Sequence, residues 1–197
     1  MSRNLIAGGL CFLLLFAANG VRATDIFVGG GILDGGAGTQ DDDWNLFSAR
    51  DFRGTGGWVS VGAIDRDLRF YGTLGRLPFD DADLTVATFA GDYVFAYGDV
   101  LRPYIGLSAG YGRQKWTENV PFDEDRMAMF DGESGEGFIF GFQAGVLLEF
   151  NRHWQMDIGG RGYYSRISSS AVIEGFDVAH QRLETLNFMH VSLYYQF

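Results

Sequence analysis

Cysteine occurs once in this chain of 197 residues, lysine once, at Lys115, and proline three times. The lone Cys11 falls in an apolar stretch near the start, so the rest of the chain has no disulfide to hold it together. Long apolar runs are scarce as well. After the first two dozen residues none approaches the ~20 residues that a helical membrane span needs. Positive charge is also sparse, with 15 basic against 25 acidic residues and a net charge of −10, which argues against nucleic acid as a partner.

The apolar stretch that does exist is at the N-terminus. Arg3 is followed by LIAGGLCFLLLFAA and then by Val21-Arg22-Ala23. A basic start, an apolar core and an A-x-A-like site predict a cleavable secretory signal over 1–23 and a mature chain from 24 to 197. Leu10 is too large for a lipoprotein cleavage site ahead of Cys11, and the apolar run continues past it.

What the chain has in abundance is glycine, 29 residues, and aromatics, 18 Phe, 9 Tyr and 4 Trp. These recur with a period of two. Along the terminal HVSLYYQF, Val191, Leu193, Tyr195 and Phe197 share one face, opposite His190, Ser192, Tyr194 and Gln196. Strands are predicted at 25–33, 57–64, 68–76, 84–97, 102–113, 137–150, 154–164 and 186–197. Short turns at Asp65–Asp67, Gly98–Val100 and Asn151–His153 alternate with long loops at 34–56, 77–83, 114–136 and 165–185. That alternation is the signature of an up-and-down barrel with both termini on the periplasmic side.

The strand faces choose between a soluble and a membrane barrel. Phe138, Phe140, Phe142, Ala144, Val146, Leu148 and Phe150 oppose Ile139, Gly141, Gln143, Gly145, Leu147 and Glu149. Trp154, Met156, Ile158 and Tyr164 oppose Gln155, Asp157, Arg161 and Tyr163. Charges keep to the glycine-rich face. Eight strands leave an interior only just wide enough for side chains, so the bulky face is expected in lipid and the glycine-rich polar face inside. The fold class is therefore all-β, an eight-stranded antiparallel up-and-down transmembrane barrel.

The segments PYIGLSAGYGR, FGFQAGVLLEF, WQMDIGGRGYY and VSLYYQF resemble those of the small bacterial outer-membrane β-barrel proteins. That group includes the OmpA transmembrane domain, OmpX and the opacity-type surface antigens. The resemblance covers 24–197 and implies a Gram-negative outer membrane, with lipopolysaccharide and outer-membrane lipids as surroundings. It also implies that Val191, Leu193, Tyr195 and Phe197 form the signal read by the insertion machinery after delivery by periplasmic chaperones. A peptidoglycan-binding domain is not expected, since the chain stops at the barrel.

Three constellations bear on function. Parity turns Arg69, Asp92, Arg102, Glu149, Asp157 and Arg161 into the lumen, three charges of each sign. Buried charges need partners, and Arg102 with Glu149, near the periplasmic ends of their strands, is the expected pair. A network of this kind plugs the lumen or, in a porin-like alternative, gates an ion path. His190-x-Ser192 with Asp157 has the makings of a nucleophile, base and orienting carboxylate. Barrel enzymes that deacylate lipid A use a His-x-Ser arrangement, which gives a hydrolase as a second alternative. Parity turns this motif inward, away from lipid, so no catalytic residue is assigned. Finally, 18 of the 25 acidic residues fall in the four long loops. Asp41, Asp42 and Asp43, and Asp123, Glu124 and Asp125, are hard oxygen donors suited to a divalent cation, without EF-hand spacing. Trp44, Phe47, Phe122, Met127, Met129 and Phe130 lie among those charges and would suit an extracellular protein partner. No cofactor is expected. The reading from sequence is a non-enzymatic surface or envelope-integrity protein that presents acidic loops.

Overall fold

The structure, a computed structural model, describes residues 25–40, 51–95, 100–118, 120–123, 126–129, 132–173 and 177–197. Eight long strands form the wall: β1 (Asp25–Gln40), β2 (Asp51–Asp65), β3 (Leu68–Pro78), β4 (Ala82–Val94), β5 (Leu101–Trp116), β8 (Ser134–Glu149), β9 (Trp154–Ile173) and β10 (Asp177–Gln196). Between β5 and β8 the chain makes a small hairpin, β6 (Val120–Asp123) and β7 (Arg126–Met129), and β7 adds two rungs to the end of β9. Each long strand pairs antiparallel with its neighbour, and β10 pairs with both β9 and β1, so the sheet closes and leaves no free edge. None of the described residues forms a helix long and apolar enough to cross a membrane.

The register fixes the geometry. A row of partners leaves β1 at Ile26 and passes through Ala63, Phe70, Gly91, Leu107, Phe142, Gly162 and Asn187. It returns to β1 at Gly36, ten residues further along. Eight strands with that stagger tilt by about 40° to the barrel axis.

Side chains then alternate between the two faces of the wall. Ile32, Val59, Leu74, Ile105, Leu107, Phe138, Phe140, Phe142, Ile158, Val191 and Leu193 all point outward and are exposed, Leu107 and Phe138 each by 72%. An apolar belt of this size on a closed barrel is a lipid-facing surface. Its periplasmic border carries aromatics in contact: Trp154 on Tyr195 at 5.1 Å, Tyr195 on Phe197 at 5.0 Å and Tyr93 on Phe95 at 5.1 Å. At the same end Asn151 accepts the amides of His153 and Trp154 at 2.9 and 3.0 Å, closing the turn into β9, and Arg66 turns β2 into β3 with φ 54°.

Above the belt the faces exchange character. Thr55, Arg76, Arg113, Glu136, Arg166 and Ser168 stand on the outward rows, while Leu33, Phe52, Leu77, Leu84, Trp116, Ile167, Leu183 and Leu186 are buried inside. Sixteen of the described residues make this upper apolar core. The level of the exchange differs around the wall. On β1 and β2 the last exposed apolar residues are Ile32 and Val59, followed by Asp34 and Thr55. On β8 and β9 aromatics continue to Phe138 and Tyr164. With the stagger above, Phe138 stands roughly 10 Å higher along the axis than Ile32.

Two expectations need correction. The long loops are largely strand: β1 runs to Gln40, β2 starts at Asp51, β5 runs to Trp116, β8 starts at Ser134, β9 runs to Ile173 and β10 starts at Asp177. Their alternation is inverted relative to the belt, which made them read as polar loops. The interior also holds large rings, among them Phe27, Trp58, Tyr71, Tyr104 and Tyr194. They fit because glycines face them: a Cβ on Gly159 would lie 2.5 Å from the Tyr104 hydroxyl, and one on Gly62 2.7 Å from the Phe27 ring. The predicted signal over 1–23 and the Gly98-Asp99 part of one turn lie outside the described residues.

Candidate functional site

The middle of the lumen is a buried ionic cluster assembled from seven strands. Arg69 of β3 lies at its centre, 1% exposed. Its Nε donates to Asp92 Oδ2 at 2.8 Å, and its Nη2 is 2.7 Å from the same oxygen and 3.0 Å from Asp157 Oδ2. Asp92 comes from β4 and Asp157 from β9, so one guanidinium ties two carboxylates across the lumen. The Tyr104 hydroxyl donates to Asp157 Oδ1 at 2.8 Å, and His190 Nε2 is 3.2 Å from that oxygen. Gln143 Nε2 donates to Asp92 Oδ1 and, at 2.6 Å, to the Tyr71 hydroxyl. Arg161 completes the cluster, with Nη2 3.2 Å from the Tyr71 hydroxyl and its guanidinium carbon 3.6 Å from the centre of the Trp58 ring.

Two arginines and two aspartates leave no net charge here when His190 is neutral. Aromatic faces take much of the remaining exposure, since Arg69 also lies over Tyr71 and Tyr104 at 4.9 and 4.6 Å. Four of the six lumen charges expected from parity, Arg69, Asp92, Asp157 and Arg161, therefore meet in one cluster. The other two do not join it. Arg102 Nη1 bonds Glu149 Oε1 at 3.0 Å in a half-buried pair at the periplasmic mouth, with Asp67 3.6 Å from Arg102 Nη2. Sequence reasoning did not assign Trp58, Tyr71, Tyr104 or Gln143 to the network. Their inward parity was the available signal, but which charge each would reach depends on register.

The His190, Ser192 and Asp157 trio comes together without the connectivity of a hydrolase. His190 Nε2 faces Asp157, as above, but Ser192 makes no hydrogen bond to His190. Ser192 Oγ instead accepts the Trp58 indole N–H at 2.6 Å. His190, Ser192 and Asp157 are 3%, 2% and 0% exposed, so no substrate carbonyl reaches the serine.

Val191, Leu193, Tyr195 and Phe197 lie on the outward row of β10, and the Phe197 amide donates to the Ile26 carbonyl at 2.9 Å at the closing seam with β1. Of the cation candidates, Asp41, Asp42, Asp43, Glu124 and Asp125, with the Asp123 side chain, lie outside the described residues. Among the described residues no three His, Cys, Asp or Glu side chains gather as metal ligands.

A closed eight-stranded antiparallel wall, apolar outside at mid-height and holding a charge-balanced cluster within, defines a small transmembrane barrel of the bacterial outer-membrane type. Solved structures agree in fold. The chain is similar to Neisserial surface protein A, with a TM-score of 0.63 and 15% identity over 87% of this chain and 97% of that one. It is also similar to Ail, the attachment invasion locus protein of Yersinia pestis, with a TM-score of 0.50 and 15% identity over 88% and 98%. The same Yersinia protein in complex with the heparin analogue sucrose octasulfate matches with a TM-score of 0.52 and 14% identity, again over 88% and 98%. No family model and no curated protein matches the chain.

Proposed function

We propose that this protein is a non-enzymatic, non-conducting surface protein, held in the outer membrane by its belt and exposing its upper barrel and loops outside the cell. The carrying observation is the Arg69–Asp92–Asp157 cluster, which occupies the lumen where an ion or a substrate would have to pass. An ion entering there would have to displace partners that are themselves desolvated and paired. The upper barrel supports the same reading, since its apolar core gives the outward polar rows a rigid platform. The names of the two structural counterparts, a surface protein and an attachment invasion locus protein, point the same way. Lipopolysaccharide and a protein of another cell are the partners such a platform would meet.

The test is twofold. Purified protein in planar bilayers is expected to give no resolved conductance steps, and lipid A from cells with and without the gene is expected to have the same mass spectrum. Steps that change with Arg69→Met would restore the channel reading. A deacylated lipid A lost on His190→Ala would restore the hydrolase.

A further inference from the structure

The outer wall has a cleft of about 670 Å³ where β8, β9, β10, β1 and β2 follow one another. Its floor is bare backbone at Gly36, Gly160 and Gly162, between the Phe142 ring and the Met189 side chain. A Cβ on Gly162 would sit 3.4 Å from Phe142 and 3.3 Å from Asn187 Oδ1, and one on Gly160 3.4 Å from Met189 Sδ, so side chains in place of these glycines would narrow the cleft. The cleft lies where the belt steps down from the tall β8–β9 side to the short β1–β2 side.

Its lining changes along the membrane normal in the order a lipid changes. Ala144, Gly160, Phe142 and Met189 line the lower part, which is apolar. Above them come Asn187 and Asp34, and at the top Arg53, partnered across the ladder with Gly36. Arg53 is exposed and makes no ion pair or hydrogen bond among the described residues. Asp34 Oδ1 accepts the Thr55 hydroxyl at 2.8 Å, and the carboxylate otherwise faces the cleft.

We propose, resting on the outer-membrane surface reading above, that this cleft binds one outer-leaflet lipid of the lipid A class, with an acyl chain on the glycine floor and a phosphate at Arg53. A guanidinium at the headgroup level recognises phosphate. The carboxylate below it decides the rest. Asp34 accepts hydrogen bonds and cannot donate them, so a lipid seated there must offer N–H or O–H groups between its phosphate and its chains. Amide-linked hydroxyacyl chains on a phosphorylated amino sugar offer both. The glycerol ester linkages of a phospholipid offer neither and would leave Asp34 facing ester oxygens. Asn187, with an amide donor and an acceptor, fits the same amide linkage.

The experiment uses the folded full barrel in detergent micelles, incubated with purified lipid A or with an equal amount of phosphatidylglycerol and read by native mass spectrometry. One lipid A per barrel is expected, retained in preference to phosphatidylglycerol. Arg53→Gln should weaken lipid A about tenfold, the loss of one charge-assisted contact. Asp34→Ala should weaken lipid A and strengthen phosphatidylglycerol, narrowing the preference between them. Gly162→Leu should abolish retention, with heat-modifiable gel mobility showing that the barrel is folded, and Leu74→Ala on β3, on the far side of the wall, should change nothing. If Gly162→Leu does not fold, Arg53→Gln and Asp34→Ala decide alone. Equal retention of both lipids, or lipid A binding indifferent to Arg53 and Asp34, overturns the proposal. So does a barrel dimer that Gly162→Leu dissociates, which would make the cleft a contact between copies.

Discussion

The lower and upper halves of this barrel are built from the same eight strands with opposite side-chain logic. In β9, Met156 and Ile158 point to lipid while Asp157 and Arg161 point inward; ten residues on, Arg166 and Ser168 point outward and Ile167 is buried. In β4, Phe89 is outside and Asp92 inside, but further up the same strand Thr85 is outside and Leu84 inside. Backbone pairing of β4 runs through the change without a break, whereas on β9 the ladder is irregular between Tyr164 and Ile167, where the register with β10 shifts. On β4 the strand geometry is indifferent to the exchange, and the outer solvent determines it. Where lipid surrounds the wall, the polar side chains have only the lumen to go to, and there they must satisfy one another. Where water surrounds it, the lumen becomes an ordinary apolar core, and burial there stabilises by roughly 25 cal/mol per Å².

Breaking one interior at a time would show how differently the two halves are held. Asp157→Ala leaves Arg69 and His190 without their shared partner, and the largest effect is expected here, a loss of about 3–5 kcal/mol in reversible urea unfolding from micelles. A loss below about 1 kcal/mol would mean that water already reaches Arg69. Ile167→Ala in the upper interior removes packing without stranding a charge, and about 2–4 kcal/mol is expected in the same measurement. On the outer face, Leu107→Arg places a charge in the belt and should cost roughly 2–4 kcal/mol, towards the lower end if the side chain can reach the interface. The sharpest contrast is the smallest effect. Ser168→Arg has the same outward parity in the upper half and should change stability by less than about 0.5 kcal/mol. Equal penalties at 107 and 168 would show that the belt extends over the whole wall.

How much of this was legible in the sequence follows from the same contrast. The membrane half declared itself, because Phe138 to Phe150 and Trp154 to Tyr164 keep a single apolar face over many residues. The upper half did not. In SRISSSAVI, residues 165–173, the outward positions are Arg and Ser and the inward ones include Ser165 and Ser169, so alternation fades while the strand continues. Parity alone placed Arg69, Asp92, Asp157 and Arg161 in the lumen. That Arg69 would reach Asp157 four strands further along the sheet order, while Arg102 stayed at the mouth with Glu149, depends on the ten-residue stagger. Nothing local encodes the stagger, since it is a property of the closed ring. The role of glycine was half legible: a glycine-rich inner face suggested a narrow interior, but some of those glycines also make room for a ring opposite, as Gly159 does for Tyr104.

The uneven upper border of the belt also gives the molecule a heading in the plane of the membrane. A flat bilayer cannot match Ile32 and Phe138 at once when they differ in height by roughly 10 Å, and each ångström of mismatch costs a fraction of a kcal/mol. The bilayer meets this by thinning beside β1 and β2, or the barrel by leaning towards them, and both responses have a direction. Lipids with shorter chains are drawn to one flank and longer ones to the other. Neighbouring proteins then feel the difference through the lipid before any side chains touch.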